Sequence, residues 1–370
     1  MAKSEQTLIT PGERLLSLDL FRGLTMFLLI GEFTHLFSLM TSKSLEGTFL
    51  YGLGIQFHHH TWNGLHFWDL IQPFFMFIVG VAIPFAVANR KKKGDSYALI
   101  RKHALKRAFL LLLLGWALYC IGPGRITFRF QNVLAQLSVT YLASFFLMRY
   151  SAKTQIGVSL AILAFTEILY RTFPVAGFNQ PFTPDHNFGA WFDMLISGEL
   201  SSGHWVSFNA IPTTAHTIWG VVAGQLLMSK RTAMQKLKIL IIAGVAGLLI
   251  GYGLNPVTPI IKRISTTSFV FASGGWSLLA LAFSYWIVDI LKFRGWVKPF
   301  AIVGMNPLFI YLFAHVGGAK LLTNVVKPFS NAAFGWTGEL NAQMFTALIV
   351  WYLLWYICYW LYKHKVFVKI

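Results

Sequence analysis

Side chains that can carry out proton transfer are concentrated between residues 57 and 69. Three consecutive histidines, His58, His59 and His60, precede His66 and Asp69. Imidazole titrates near neutral pH, so a histidine can act as a general base, a general acid or a nucleophile. A nearby carboxylate could orient such a ring, and the group leads directly into a long apolar run. The pattern therefore predicts chemistry by histidine at the surface of a membrane.

Two other uses of clustered histidines remain open at this point. One is zinc binding, although consecutive histidines point in different directions and neither HExxH nor CxxC is present. Cys120 and Cys358 sit in predicted helices and indicate neither a disulfide framework nor a metal site. The other use is structural, since histidines can simply lie in the headgroup region beside aromatic residues. We expect no metal.

Composition places this cluster in a membrane protein. The chain has 370 residues, of which 56% are hydrophobic, 16% aromatic and only 12% charged. Soluble domains are about 25% charged, and a helix needs roughly 20 apolar residues to cross a bilayer. Repeated apolar runs of about that length predict an all-α fold, a single domain over residues 1–370 with about ten transmembrane helices. The predicted spans are 15–38, 67–88, 108–122, 133–149, 154–171, 207–228, 237–254, 267–291, 299–319 and 342–362.

The formal net charge of +18 fits this topology better than it fits nucleic-acid binding. Most of the 31 lysines and arginines fall in alternate loops, and the densest cluster begins at residues 90–93. Positive loops stay in the cytoplasm, which places both termini there and residues 172–206 outside. We therefore expect an integral protein of a bacterial inner membrane, whose basic residues also attract anionic lipid.

The orientation separates the eleven histidines unequally between the two sides. The predicted outer set is His35, His58, His59, His60, His66, His186, His204, His216 and His315, and the inner set is His103 and His364. This distribution predicts an active site that opens outward. Residues 172–206 have the length of a lid or binding loop.

Charged and polar residues near the spans are candidates for ligand binding. Asp19 and Arg22 lie one helical turn apart, so they form either an ion pair or a receptor for an anionic ligand. Asn306, followed by Pro307, interrupts the ninth predicted span with polar character.

A second candidate group is basic and lies on the predicted outer side. It consists of Arg125, Arg129, Lys262 and Arg263. These residues either pair with acidic residues of the loops, namely Asp185, Asp193 or Glu199, or bind an anion.

Several stretches of the chain resemble a known family. They are RLLSLDLFRG at Arg14–Gly23, HHTWNG at His59–Gly64, the pair Asp69-Leu70, and PFFMFIVG at Pro73–Gly80. Weaker similarities occur at 106–108, 259–270 and 304–306. Together they resemble the heparan-alpha-glucosaminide N-acetyltransferase family over nearly the whole predicted membrane region.

The resemblance implies a transferase that moves an acetyl group from acetyl-CoA to the amine of a terminal glucosamine on the far side of the membrane. The catalytic histidine of the family lies three residues before Trp-Asn-Gly, which selects His59 here. We expect Asp69 to orient His59, and Asn63 to donate a hydrogen bond to the developing oxyanion. The residues expected to contact the acyl donor are Arg22, Asp19, Asn306 and Lys262.

Two positions depart from the family pattern. Glu32 stands near the end of the first helix, where asparagine is common. Ala135-Gln136 stands at the start of the fourth helix, where Gln-Arg is usual. The missing arginine bears on how CoA is bound.

The preferred function is a membrane acyltransferase that acts on an amino sugar or other glycan at the outer face. Its expected partners are the acyl donor, the acceptor, membrane lipid and a second copy of the chain. The alternative is a transporter for a sugar or small organic anion, which the polar breaks at Pro212 and Asn306-Pro307 would suit. A noncatalytic scaffold would leave the histidine cluster unexplained.

Overall fold

The computed structural model describes residues 15–368 and is built from helices. In chain order they are α1 (Leu16–Glu32), α2 (Leu36–Met40), α3 (Phe49–Gln56), α4 (Ile71–Lys92), α5 (Tyr97–Ile121), α6 (Val133–Leu147), α7 (Ala152–Thr172), α8 (Phe188–Ser197), α9 (Ala210–Met228), α10 (Ala233–Leu254), α11 (Thr267–Tyr285), α12 (Val297–Val303), α13 (Pro307–Phe313), α14 (Ala319–Phe334) and α15 (Glu339–Lys363). Short 3-10 turns cover Lys43–Leu45, Phe67–Leu70, Ser207–Asn209 and Gly335–Thr337, and π-helical turns cover Trp286–Ile290 and Ala314–Gly318. The predicted all-α architecture is therefore confirmed.

Among residues 15–368, seven helical segments are long and apolar enough to cross a membrane. They are Phe67–Lys92, Tyr97–Ile121, Ala152–Thr172, Ala233–Leu254, Thr267–Ile290, Pro307–Thr337 and Glu339–Lys363. The other three predicted spans correspond to α1 and α6, which have 17 and 15 residues, and to α9, which is less apolar. The predicted side of each terminus stays a prediction, and Arg14 of the first motif lies outside the described residues.

Two predicted boundaries were wrong. The third span begins at Tyr97 rather than 108, because Ser96 caps the helix and its hydroxyl accepts the Leu99 N–H at 3.3 Å. Lysine and arginine are good helix formers, so the basic stretch continues the helix as its first turns. The break of the ninth span at Asn306-Pro307 agrees with the interruption predicted there, but the helical segment ends at Thr337 rather than 319, because α14 continues to Phe334.

The described residues divide into two compact units. The first unit comprises the described residues through Leu18 together with Thr61–Leu65 and Gln72–Lys292. The second unit comprises Asp19–His60, His66–Ile71 and 293–368. The single domain predicted over residues 1–370 stays a prediction.

Glycine lets helices of the first unit approach closely. A β-carbon at Gly80 of α4 would overlap the Thr217 carbonyl of α9, and one at Gly220 would overlap the Phe77 carbonyl. Small residues at helix contacts are favoured in membranes, because lipid gives no hydrophobic force that would drive helices together. The two helices α4 and α9 therefore pack with their backbones in direct contact at these glycines.

The long segment at 172–206 contains the helix α8 rather than an irregular loop. The Asn187 side chain caps α8 by accepting the Ala190 N–H at 3.2 Å, and Gly198 ends it in the left-handed region at φ 71°. The buried carboxylate of Asp193 accepts hydrogen bonds from Gln131 Nε2 at 2.9 Å and the Ser207 N–H at 3.1 Å. Asp193 therefore fastens the segment to the rest of the first unit.

Replacing Gly80 with alanine is expected to lower the free energy of unfolding by about 1–3 kcal/mol, since overpacking a close contact forces the backbones apart. Thermal unfolding in detergent measures this as a lower midpoint. The matched control is Gly157→Ala in α7, where a β-carbon meets no atom of the described residues within 4 Å. Equal midpoints for Gly80→Ala and wild type would contradict the packing argument.

The buried carboxyl of Asp193 should make the stability of the protein depend on pH. Burial raises the pKa of Asp193 above its ordinary value, and hydrogen bonds from Gln131 and Ser207 oppose this only in part. The folded protein therefore holds this proton more tightly than the unfolded chain, so stability falls as pH rises from about 4 through the raised pKa. Asp193→Asn removes this pH-dependent loss of stability. The unfolding midpoint of the variant, measured relative to that of wild type, should therefore rise between pH 4.5 and 7. A constant difference across that range would refute the assignment.

Candidate active site

The first part of the histidine cluster is anchored by the turn after α3. Thr48 caps this helix by accepting the Tyr51 N–H at 3.2 Å, and the His58 N–H donates to the Ile55 carbonyl at 3.1 Å. The ring of His58 is also engaged, because its Nε2 lies 3.2 Å from both the Phe37 carbonyl and Thr41 Oγ1. His58 therefore serves to hold the segment in place.

The carboxylate of Asp69 is the centre of the cluster. His59 Nδ1 lies 2.9 Å from Asp69 Oδ1, and Asp69 Oδ2 accepts the N–H groups of His60 at 3.1 Å and His66 at 2.9 Å. Asp69 stands in the 3-10 turn Phe67–Leu70 that leads into α4, and only 1% of its surface is exposed. One buried side chain thus fixes both ends of the loop that carries His59.

This arrangement sets the chemistry available to His59. A carboxylate accepts hydrogen bonds, so Nδ1 donates to Asp69 and the lone pair lies on Nε2. The His59 side chain retains 34% of its exposure, whereas that of Asp69 is buried. Nε2 can therefore take a proton or attack a carbonyl carbon, and Asp69 would stabilise the imidazolium that forms.

The two remaining histidines of the cluster surround this pair. His66 Nδ1 lies 3.0 Å from the His58 carbonyl oxygen. The rings of His60 and His66 meet at an angle, with centroids 4.8 Å apart. These contacts tie the ends of the loop to each other.

A group of packed aromatic rings lies next to the histidine cluster within the second unit. Phe37 and Phe57 stack with centroids 4.3 Å apart, and both contact the buried ring of Trp68. Trp68 Nε1 donates to Glu32 Oε1 at 3.1 Å. Glu32 is one of the departures from the family pattern, and here it positions the residue before Asp69.

Asn63, the predicted oxyanion donor, belongs to the first unit. Its backbone forms an isolated antiparallel bridge with Ile261, and the adjacent Gly64 N–H donates to the Ile260 carbonyl at 2.9 Å. Gly64 has φ 148°, a conformation that favours glycine. The side chain of Asn63 is exposed, so the backbone rather than the amide holds the motif to this unit.

Of the residues predicted to contact the acyl donor, Asp19, Arg22 and Asn306 belong to the second unit, and Lys262 belongs to the first. Asp19 Oδ1 and Arg22 Nη2 form the i, i+3 ion pair at 2.9 Å, with Asp19 buried and Arg22 about one third exposed. Asn306 donates from Nδ2 to the Val366 carbonyl at 2.9 Å and accepts the Val368 N–H at 2.9 Å. Its amide thus clamps the backbone of the C-terminal tail.

The outer basic group divides into two pairs. Arg125 and Arg129 form ion pairs with Glu199 at 3.2 and 3.1 Å, as one of the two alternatives predicted. Lys262 and Arg263 instead flank the ring of Trp205, each with its charged group 5.5 Å from the ring centroid. Lys262 is almost fully buried, at 5% exposure. Cation–π attraction of this kind is strongest where water is excluded.

Sequence reasoning missed a buried network of amides in the first unit. Gln136 accepts a hydrogen bond from Gln72, donates to Asn209 and also donates to the Gln131 carbonyl at 3.0 Å. The sequence signal was a glutamine within an apolar run, which we noted only as a departure from the family. Its partners lie far away in the chain, so the pattern alone could not supply them.

Within residues 15–368, no group of three or more histidine, cysteine, aspartate or glutamate side chains is arranged to hold a metal ion. The cluster does bring one imidazole, that of His59, into hydrogen-bonding distance of the Asp69 carboxylate. The apolar helices and this pair define the class as a helical integral membrane protein with a His–Asp pair whose carboxylate is buried and whose imidazole is about one third exposed.

Comparison with known proteins supplies a family-level link. No family model matches the chain. It is 32% identical over 143 residues to heparan-alpha-glucosaminide N-acetyltransferase of Mus musculus, and 35% identical over 136 residues to that of Homo sapiens. These matches cover 37% and 35% of this chain but only 19% and 18% of the relatives, so the homology is partial. It confirms the resemblance to this family of membrane N-acetyltransferases.

Removal of the Asp69 carboxylate should loosen the loop that carries His59. Asp69→Ala leaves the backbone N–H groups of His60 and His66 without their acceptor, and each such loss costs about 1–3 kcal/mol. Amide hydrogen exchange across 59–66 should therefore accelerate at least about tenfold. Asp95→Ala is the control, because Asp95 pairs with Arg90 in a different helix-ending turn. Unchanged exchange in Asp69→Ala would contradict the central role of the carboxylate.

Proposed function

We propose that this protein is a membrane acyltransferase that moves an acetyl group from acetyl-CoA to the amine of an amino sugar or glycan at the extracytoplasmic face. The observation that carries the proposal is the His59–Asp69 pair, 2.9 Å apart, at the position matching the catalytic histidine of the related family. The partial homology to N-acetyltransferases supports the reaction type.

The transfer makes one amide bond and breaks one thioester bond. In the direct route the acceptor amine attacks the thioester carbonyl and CoA leaves as a thiolate. The proton lost by the amine then goes to this thiolate, and His59 Nε2 carries it. In a two-step route Nε2 itself attacks the thioester carbonyl and CoA leaves as a thiolate; the amine then attacks the acetyl-imidazole, the bond to Nε2 breaks, and the proton of the amine goes to the thiolate. In both routes Asp69 holds the proton of the neutral ring on Nδ1, which leaves the lone pair on Nε2, and it stabilises the ring when that ring becomes positive.

The remaining roles rest on the match to the family motifs. Asn63 would donate to the oxyanion that forms at the thioester carbonyl, a contact typically worth about 3 kcal/mol of transition-state stabilisation. Arg22, held by Asp19, would meet the phosphates of the donor at the predicted cytoplasmic end. Lys262 would contribute a second positive charge to the binding of the acyl donor. We assign no donor contact to the Asn306 side chain, because the tail backbone occupies its amide.

Substitution of each histidine in turn tests the proposal. Purified protein in detergent would be incubated with labelled acetyl-CoA and a panel of amino sugars. His59→Ala should lose transfer by about 10²–10⁴-fold, the usual contribution of an acid–base group, whereas His60→Ala should retain most of it. His58→Ala should lose less than His59→Ala, because the His58 ring holds the segment in place and has no role in proton transfer. His60 contacts Asp69 through its backbone N–H, which alanine preserves.

Matched unfolding midpoints would establish that the three variants are folded. Full activity of His59→Ala would reject the mechanism. Uptake of sugar into vesicles without any acyl donor would instead favour the transporter.

A further inference from the structure

The segment at 172–206 carries a second pairing of a histidine with a carboxylate. His204 Nδ1 lies 2.6 Å from Asp185 Oδ2, the same ring nitrogen that His59 presents to Asp69. The side chains of His204 and Asp185 are 37% and 31% exposed, so both reach solvent. The Asp69 pair is anchored in a buried turn, whereas this one lies at the surface of a long connecting segment.

Both partners of this pair have a strained backbone. Asp185 has φ 60° and His204 has φ 58°, in the left-handed region that side chains disfavour. An exposed ion pair stabilises a protein by less than two such residues cost, so the pair does not by itself explain the conformation. Backbone strain that the surroundings hold in place is typical of ligand sites.

Surrounding hydrogen bonds hold the conformation in place. The Gln180 N–H donates to the His186 carbonyl at 2.9 Å, and the His204 N–H donates to the Ser201 carbonyl at 2.9 Å. Asn187 Nδ2 donates to the Thr183 carbonyl at 2.8 Å. These bonds join residues close to Asp185 and to His204 in the chain. They therefore fix the backbone of both residues in the absence of a ligand.

The second pair adjoins the catalytic motif through Trp62. Trp62 Nε1 donates to the Phe182 carbonyl at 2.7 Å, and its ring meets the His204 ring edge-on with centroids 6.1 Å apart. Trp62 follows His59 by three residues in the chain. Aromatic surface therefore lies beside the polar atoms of His204 on a residue of the catalytic motif.

The pair keeps capacity for further hydrogen bonds. Within the part of the chain that the structure describes, Asp185 Oδ1 and His204 Nε2 make no hydrogen bond. A carboxylate oxygen accepts from hydroxyl or ammonium groups, and the second ring nitrogen of His204 accepts as well. An acceptor pair next to an aromatic ring matches the alternating polar edges and C–H faces of a sugar. An anionic ligand would be repelled by Asp185.

We propose that Trp62, Asp185 and His204 form a subsite that binds the sugar ring of the acceptor. This inference rests on the proposed acyltransferase function and names residues that position its second substrate. Asp185 Oδ1 accepts from a ring hydroxyl or the ammonium, His204 Nε2 accepts from a neighbouring hydroxyl, and Trp62 contacts the apolar face. These are positioning residues, since the bond that breaks lies in the donor.

Steady-state kinetics with acetyl-CoA and glucosamine test this assignment. Asp185→Ala and His204→Ala should each raise the acceptor KM at least about tenfold, with kcat and the donor KM within about twofold of wild type. His186→Ala is the matched control, because the ring of this exposed histidine of the same segment bonds only to the Gly177 carbonyl among the described residues, and alanine preserves its backbone bonds. It should leave all three constants unchanged.

Saturation-transfer NMR with glucosamine gives a second readout that does not require catalysis. Wild type and His186→Ala should bind the sugar, and Asp185→Ala and His204→Ala should lose the signal. If wild type binds sugar but transfers no acetyl group, the proposed function fails while the subsite stands.

Unchanged acceptor KM and unchanged sugar binding in both variants would overturn the subsite, and so would an increase in the donor KM alone. If Asp185→Ala fails to fold, Asp185→Asn preserves the size of the side chain and removes its negative charge; it should still raise the acceptor KM relative to wild type, and an unchanged value would overturn the role of Asp185.

Discussion

The buried carboxylate of Asp69 is the interaction on which the candidate site depends. It accepts three hydrogen bonds, from the His59 ring and from the backbone of His60 and His66. A carboxylate taken out of water is costly unless its oxygens are satisfied, so the chain around it has little freedom to adopt another shape. The same bonds fix the tautomer of His59, which links the stability of the loop to its chemistry.

The two histidine–carboxylate pairs differ in burial. At Asp69 the carboxylate is buried, and it accepts hydrogen bonds from the His59 ring and from the backbone of His60 and His66. At Asp185 the carboxylate is about one third exposed and lies on a segment that Asp193 and α8 fasten to the first unit. The first environment favours a fixed acid–base group, and the second favours contact with a polar ligand that comes from solvent.

Close helix contacts provide the rigidity that such sites require. In the first unit Gly80 and Gly220 let α4 and α9 approach to backbone distance, and in the second unit Gly23 lies against the Phe300 carbonyl. Residues that a membrane cannot hydrate are satisfied internally, as the Gln72–Gln136–Asn209 amides illustrate. The fold thereby keeps these three amides inside the first unit with a hydrogen-bond partner for each.

The sequence alone predicted a helical membrane protein and one candidate position for its chemistry. Apolar runs near the thickness of a bilayer predicted the helices, and the resemblance of the motif from His59 to Gly64 to the family selected one imidazole as the candidate. The sequence also paired Asp69 with His59, which lie only ten residues apart. Only the tertiary structure showed that Glu32 accepts a hydrogen bond from Trp68, that Asp185 pairs with His204, and that Asn306 donates to the backbone of the C-terminal tail. Those pairings join residues 19 to 60 positions apart, and no local pattern records which polar groups packing will bring together.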